Sequence, residues 1–186
     1  VDAQDALPEE AAHISLTLRP SVPMHYLQAL PWIAALGLVD ALNAQGEADA
    51  GILWPHDVQS ARFGRLRLRS HGGCDERGMY VSLRVDASQD LRLGPLRDQV
   101  LARVGLWERA VASGRSAAGP LAAVLSDYFD ACVLMGHQVQ ACYPNGKPFD
   151  QGELAGVDAW GRATLRRADG SLFEVAPEQA TLEAVL

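Results

Sequence analysis

The 186-residue chain is 48% apolar and 21% charged, a globular composition, and a chain of this size buries roughly 70% of its unfolded surface, so its core needs no disulfide or metal staple. The net charge of -7 argues against a general polyanion binder, so no nucleic-acid partner is expected; Cys74, Cys132 and Cys142, odd in number and far apart, exclude a disulfide framework and fit a reducing compartment. No segment reads as long and apolar enough to cross a bilayer, and no basic stretch precedes an apolar one near Val1, so the expected location is the cytoplasm.

Residues 1 to 12 are acidic and aperiodic and read as a lead-in. His13 to Arg19 alternates apolar with polar at period two, the pattern of a half-buried strand ended by Pro20 and Pro23. From Met24 to about Asn43, Leu27, Leu30, Ala34, Leu38 and Leu42 recur at helical spacing, with Gly46 as the stop. Pro31 either starts that helix, where its missing N–H costs nothing, or kinks it. Ile52 to Trp54 is a short buried strand running through Pro55 into a loop. Phe63 to Arg69 alternates Arg65, Arg67 and Arg69 with Leu66 and Leu68, then Ser70 to Gly73 reads as a turn into an antiparallel partner, Met79 to Val85.

Two helices follow, about Pro95 to Ala112 with Leu96, Val100, Val104 and Trp107 in step, and about Ala117 to Leu134. After Gly136 the texture changes to short alternating strands at His137 to Tyr143, Gly152 to Asp158, Ala163 to Arg167 and Ser171 to Val175, with turns at Pro144-Asn-Gly146, Trp160-Gly161 and Asp169-Gly170. A boundary near residue 135 is expected, with units at 1–135 and 136–186.

Two stretches carry a family resemblance. Gly51-Ile-Leu-Trp-Pro-His-Asp-Val58 follows a helix ending at Asp40 to Gly46, and Met135 to Val139 leads into Gly152 to Asp158, Gly161 and Asp169-Gly170. Their order resembles the biotin protein ligases, in which a helix and a strand precede Trp-Pro-Asn-Asp and a small C-terminal barrel carries Gly-x-Asp and a later Gly. Trp54, Pro55, Asp57 and Val58 match, and His56 replaces the Asn. The resemblance implies an α+β fold of the class II synthetase-like biotin/lipoate ligase kind. Its sheet is mixed and largely antiparallel with helices on one face, and a small SH3-like β-barrel follows. It also implies ATP-dependent formation of biotinyl-5′-adenylate with Mg, transfer of biotin to a lysine of a biotin carrier protein, and pairing of two copies through sheet edges.

Carried over residue by residue, the resemblance places Trp54, Pro55, His56 and Gly64 at the ligand and Arg62 and Asp57 in catalysis. An aspartate at Asp57 handles the metal–nucleotide in that family; a cap for the following turn is the alternative reading. The family's lysine falls near Arg62-Phe63-Gly64-Arg65, where an arginine stands instead, and a guanidinium differs from an ammonium in reach and shape. Lys147, the one lysine of the chain, lies in a C-terminal turn. The Gly/Arg-rich loop that the family carries upstream of its first matching strand is not in this sequence. The family's glycine-rich strand aligns with Met79 to Asp86, which lacks those glycines, so side chains are expected to close the approach of a ligand to the backbone. A catalytically inactive relative serving as a binding or assembly module is therefore the alternative to a ligase.

The remaining features are weaker. Arg65, Arg67 and Arg69 form either an anion-reading stripe or a solvated face that protects the sheet from aggregation. The histidines His13, His25, His56, His71 and His137 show no ligand pair, and His71-Gly-Gly-Cys74 is half a zinc site without a second half, so no metal centre is expected. No serine or cysteine stands in a nucleophile-elbow context.

Overall fold

The computed structural model describes residues 13–86 and 91–185; the acidic lead-in lies outside them. The first sheet has the order β1-β5-β4-β3-β2, built from β1 (His13–Leu18), β2 (Gly51–Leu53), β3 (Asp57–Ser60), β4 (Gly64–Asp75) and β5 (Gly78–Asp86). Every ladder in it is antiparallel, and the parallel element is a single bridge between Ile52 and Cys132. One face of this sheet is apolar because the alternation in each strand points the same way: Ile14, Val85 and Leu68 share a row, as do Val58 and Leu66.

Helix α1 (Leu30–Ala44) and helix α2 (Leu93–Ala112) cover that face, as expected for helices confined to one side. Pro31 sits in the first turn of α1, resolving its two readings in favour of a helix start, and a short 3₁₀ turn at Met24–Ala29 leads into it. At the other end Gly46 adopts φ +95°, and Glu47 N–H donates to Leu42 O at 3.0 Å, which closes the helix. The span Met24–Ala44 is by length and composition apolar enough to cross a membrane, which corrects the expectation that no segment is. Most of that span is buried in the core: Leu30, Ile33, Ala35, Leu38 and Leu42 have no measurable exposure, while Met24 at its start is exposed.

Two further expectations change. The anticipated turn at Ser70 to Gly73 is strand: β4 continues to Asp75, with Gly72 paired to Val81 and Gly73 to Tyr80. The chain reverses at Glu76-Arg77, where Arg77 N–H donates to Asp75 Oδ1 at 2.9 Å and Gly78 supplies φ +101°. The expected helix Ala117 to Leu134 is reduced to a 3₁₀ turn at Ala122–Val124 and α3 (Leu125–Ala131). Tertiary partners claim the backbone ahead of it: Pro120 O accepts from Trp107 Nε1 at 2.7 Å, and Leu121 N–H donates to Ala159 O at 3.0 Å. Gly119, at φ +149°, packs so closely that a Cβ would lie 2.8 Å from Ala159 O.

The second sheet has the order β10-β6-β7-β8-β9, all antiparallel, from β6 (Gln138–Cys142), β7 (Pro148–Val157), β8 (Ala163–Arg166), β9 (Leu172–Val175) and β10 (Thr181–Ala184). The last strand and the short β3 go beyond the strands that the periodicity predicts. Gly146, Gly161 and Gly170 take positive φ at the three expected turns. The core runs without a break from the first sheet through α1 and α2 into the second sheet.

Candidate functional site

The Trp54-Pro55-His56-Asp57 segment joins β2 to β3, and three of its four residues are tied down by distant partners. Trp54, 1% exposed, donates its indole N–H to Gly161 O at 3.0 Å, fastening the first sheet to the β7–β8 turn. Pro55 O accepts from the buried Tyr128 hydroxyl at 2.8 Å. Asp57 accepts from Leu68 N–H through Oδ1 at 3.0 Å and from Arg65 Nε through Oδ2 at 2.8 Å. Its carboxylate thus continues the ladder of β4 past the end of β3.

His56 is the exception. Its Nδ1 is buried and has no hydrogen-bond partner, and its ring meets Trp32 edge-on with centroids 5.1 Å apart. Burial drives its pKa from 6.5 down to about 4, with the neighbouring Asp57 charge acting weakly the other way, so the imidazole is neutral at physiological pH. Trp32 Nε1 is likewise buried and unpartnered.

Beside this segment the apolar face of β4 is interrupted. After Leu66 and Leu68 the same face carries Ser70, Gly72 and Cys74, and a side chain at Gly72 would meet nothing within 4 Å. The gap is a groove of about 450 Å³ floored by Gly72 and Val81 and walled by Met24, Leu27, Pro31 and Met79. A second cavity of about 250 Å³ shares Gln28, Pro31 and Ser70 with it and reaches His56, Trp32 and Trp160. The glycines beside this groove stand on β4, opposite Val81 and Tyr80 of the glycine-poor β5. Volume in this range and an apolar lining with few polar groups are what small-molecule sites have.

The other residues singled out lie elsewhere. Arg62 projects from the β3–β4 turn with its side chain 64% exposed, 3.5 Å from Glu47 and stacked on Phe63. Gly64, at φ +67°, opens β4 opposite Ser60 and is six residues from Ser70, a separation of roughly 20 Å along a strand. The arginine beside Asp57 is Arg65, not Arg62. Arg69 and Arg84 both approach Asp86, on the sheet face away from the helices. Among the described residues no three His, Cys, Asp or Glu side chains gather as a metal site. Trp32, Ser70 and Gly72 were missed; two adjacent glycines within an alternating run were the available signal, and they read equally well as a turn.

No family model matches the chain, and no curated protein matches it. Solved structures do. The biotin protein ligase of Aquifex aeolicus superposes with a TM-score of 0.64 at 15% identity, over 93% of this chain and 82% of the ligase. The apo structure of the same enzyme gives 0.64 at 16% identity over the same shares. Its complex with biotin and ATP gives 0.63 at 16% identity, over 93% of this chain and 78% of that one. The chain therefore has the biotin protein ligase fold, two antiparallel sheets with three helices, in a divergent sequence.

Proposed function

We propose that this chain is a biotin protein ligase-like protein whose groove binds biotin, and that the reaction to look for is the family's: ATP-dependent formation of biotinyl-5′-adenylate and transfer to a lysine of a carrier protein. The observation that supports binding is the interruption of the apolar sheet face at Ser70 and Gly72, which leaves a ligand-sized groove where a closed core would otherwise form. The reading extends to a soluble, cytoplasmic protein with a boundary near residue 135, an SH3-like barrel over 136–186, and a homodimer paired at a sheet edge.

The lining fits an organic acid with an apolar body better than it fits a triphosphate with Mg. Adenylation needs positive donors on the phosphates and on the developing oxyanion. Arg65 is committed to Asp57, Arg62 lies with Glu47, and both oxygens of Asp57 already accept protein hydrogen bonds. These pairings favour the second reading, a binding or assembly module that keeps the groove without the reaction.

Isothermal titration with biotin, alone and with ATP and Mg, separates the readings. Micromolar or tighter binding that the nucleotide strengthens is the outcome expected of a ligase; binding indifferent to nucleotide supports the module. Gly72→Leu should abolish binding without lowering stability, because the added side chain enters open groove. Absence of heat from folded protein under both conditions would sink the biotin reading.

A further inference from the structure

Three of the four tryptophans are buried to 6% exposure or less, and a buried indole N–H almost always has an acceptor. Trp54 has Gly161 O and Trp107 has Pro120 O. Trp32 has none, and the unpartnered atom nearest to it in kind is His56 Nδ1, on the ring it meets edge-on. Both side chains line the smaller cavity, with Ser70 and Gln28 on the side that opens into the groove and Trp160 at the outer side. Trp32 cannot turn away to find an acceptor, since its ring lies against the backbone at Gly161, where even a Cβ would come within 2.6 Å of it. An orphaned donor and an orphaned ring nitrogen, on two residues that line the cavity adjoining the groove, are a specification for what enters that cavity.

We infer that Trp32 Nε1–H and His56 Nδ1 form a donor–acceptor pair that receives the amide-type edge of a planar ring, an N–H beside a C=O or a ring nitrogen. A cyclic urea carries such an edge, and so does a purine. Trp32 supplies the donor. His56, neutral, supplies the acceptor in the tautomer that carries its proton on Nε2; a carboxylate, which only accepts, would call instead for the other tautomer, with Trp32 and His56 both donating. The inference rests on the binding reading and deepens it by naming the cavity beside the groove that reads the ring, but it does not require that the ring be biotin's.

The test uses the whole chain, labelled with ¹⁵N at the tryptophan indoles, with the Trp32 resonance assigned through Trp32→Phe and Trp160→Phe. Three probes are added in turn: biotin, which has a cyclic urea; AMP, which has a purine; and lipoate, which shares biotin's carboxylate but has no such edge. The expected result is a downfield shift of the Trp32 indole proton with biotin or AMP and none with lipoate. The shifting probe also loses about tenfold in affinity in Trp32→Phe and in His56→Phe. The two sources separate by which of biotin and AMP shifts the signal. If no probe moves any indole resonance, or if lipoate moves the same resonance equally, the inference falls; that readout needs only the parent protein, so it holds even if a variant fails to fold. Biotin that binds and is blocked by Gly72→Leu, yet leaves Trp32 unmoved, would overturn this subsite and leave the binding reading standing. AMP that moves Trp32 while biotin gives no heat would do the reverse.

Discussion

At the scale of single residues, the Trp-Pro-His-Asp segment divides by what each side chain touches. Asp57 is a brace: it caps Leu68 N–H, an amide that lies beyond the first residue of β3, and holds Arg65 alongside. Asp57→Ala should cost about 1–3 kcal/mol in urea unfolding, because it orphans a partly buried amide, whereas Asp57→Asn keeps an acceptor and should cost well under half of that. His56 acts through pH. Its folded pKa lies below its unfolded one, so between pH 6.5 and about 4 the unfolded chain binds a proton that the folded chain refuses. Stability is therefore full above pH 6.5 and falls as pH drops through that window, by up to ~3 kcal/mol. His56→Gln should flatten the fall. The carboxylates that arginines hold below 3.8, Asp75 with Arg19, Asp86 with Arg84 and Asp150 with Arg167, contribute stability above that value and lose it below. Their acid loss should persist in the variant, and urea midpoints from pH 7.5 to 3 would distinguish the two windows.

Elements are placed by close approach as much as by periodicity. The periodic residues of α1 and α2 are all buried as their spacing predicts, but the distance between the helices is set by Gly37, where a Cβ would lie 2.7 Å from Val100 Cα. Gly37→Ala raises helix propensity by ~1 kcal/mol, yet it forces two packed backbones apart, and overpacking of this kind costs about 1–3 kcal/mol. The expected result is a net loss of stability in thermal unfolding; a gain would mean that α1 and α2 separate freely. Short elements were less legible. β3 spans four residues and exists because Val58 pairs with Leu66, a partner that no local signal identifies. The failed helix at Ala117 to Leu134 has sound local periodicity, and the hydrogen bonds of Pro120 and Leu121 to remote groups override it.

On the scale of the whole molecule, the two sheets meet at the β7–β8 turn. Gly161 accepts the Trp54 indole hydrogen bond, lies against Trp32 and holds φ +88°, while Ala159 receives Leu121 N–H. Because one continuous core joins the sheets, near-UV and far-UV circular dichroism should report a single coincident melting transition. Gly161→Ala should lower that whole transition by about 2 kcal/mol or more, through strained φ and the clash with Trp32. Two separate transitions would instead support independent units on either side of residue 135. The sequence by itself determined the α+β class, the faces of the long strands and helices and the turn glycines, because period and turn chemistry are local properties. It also carried the Trp-Pro-His-Asp resemblance. The groove was decided by tertiary structure alone: Ser70 and Gly72 mean nothing until register sets them against Leu83 and Val81, and Trp32 and His56 become a pair only when residues 24 apart in sequence are packed ring to ring.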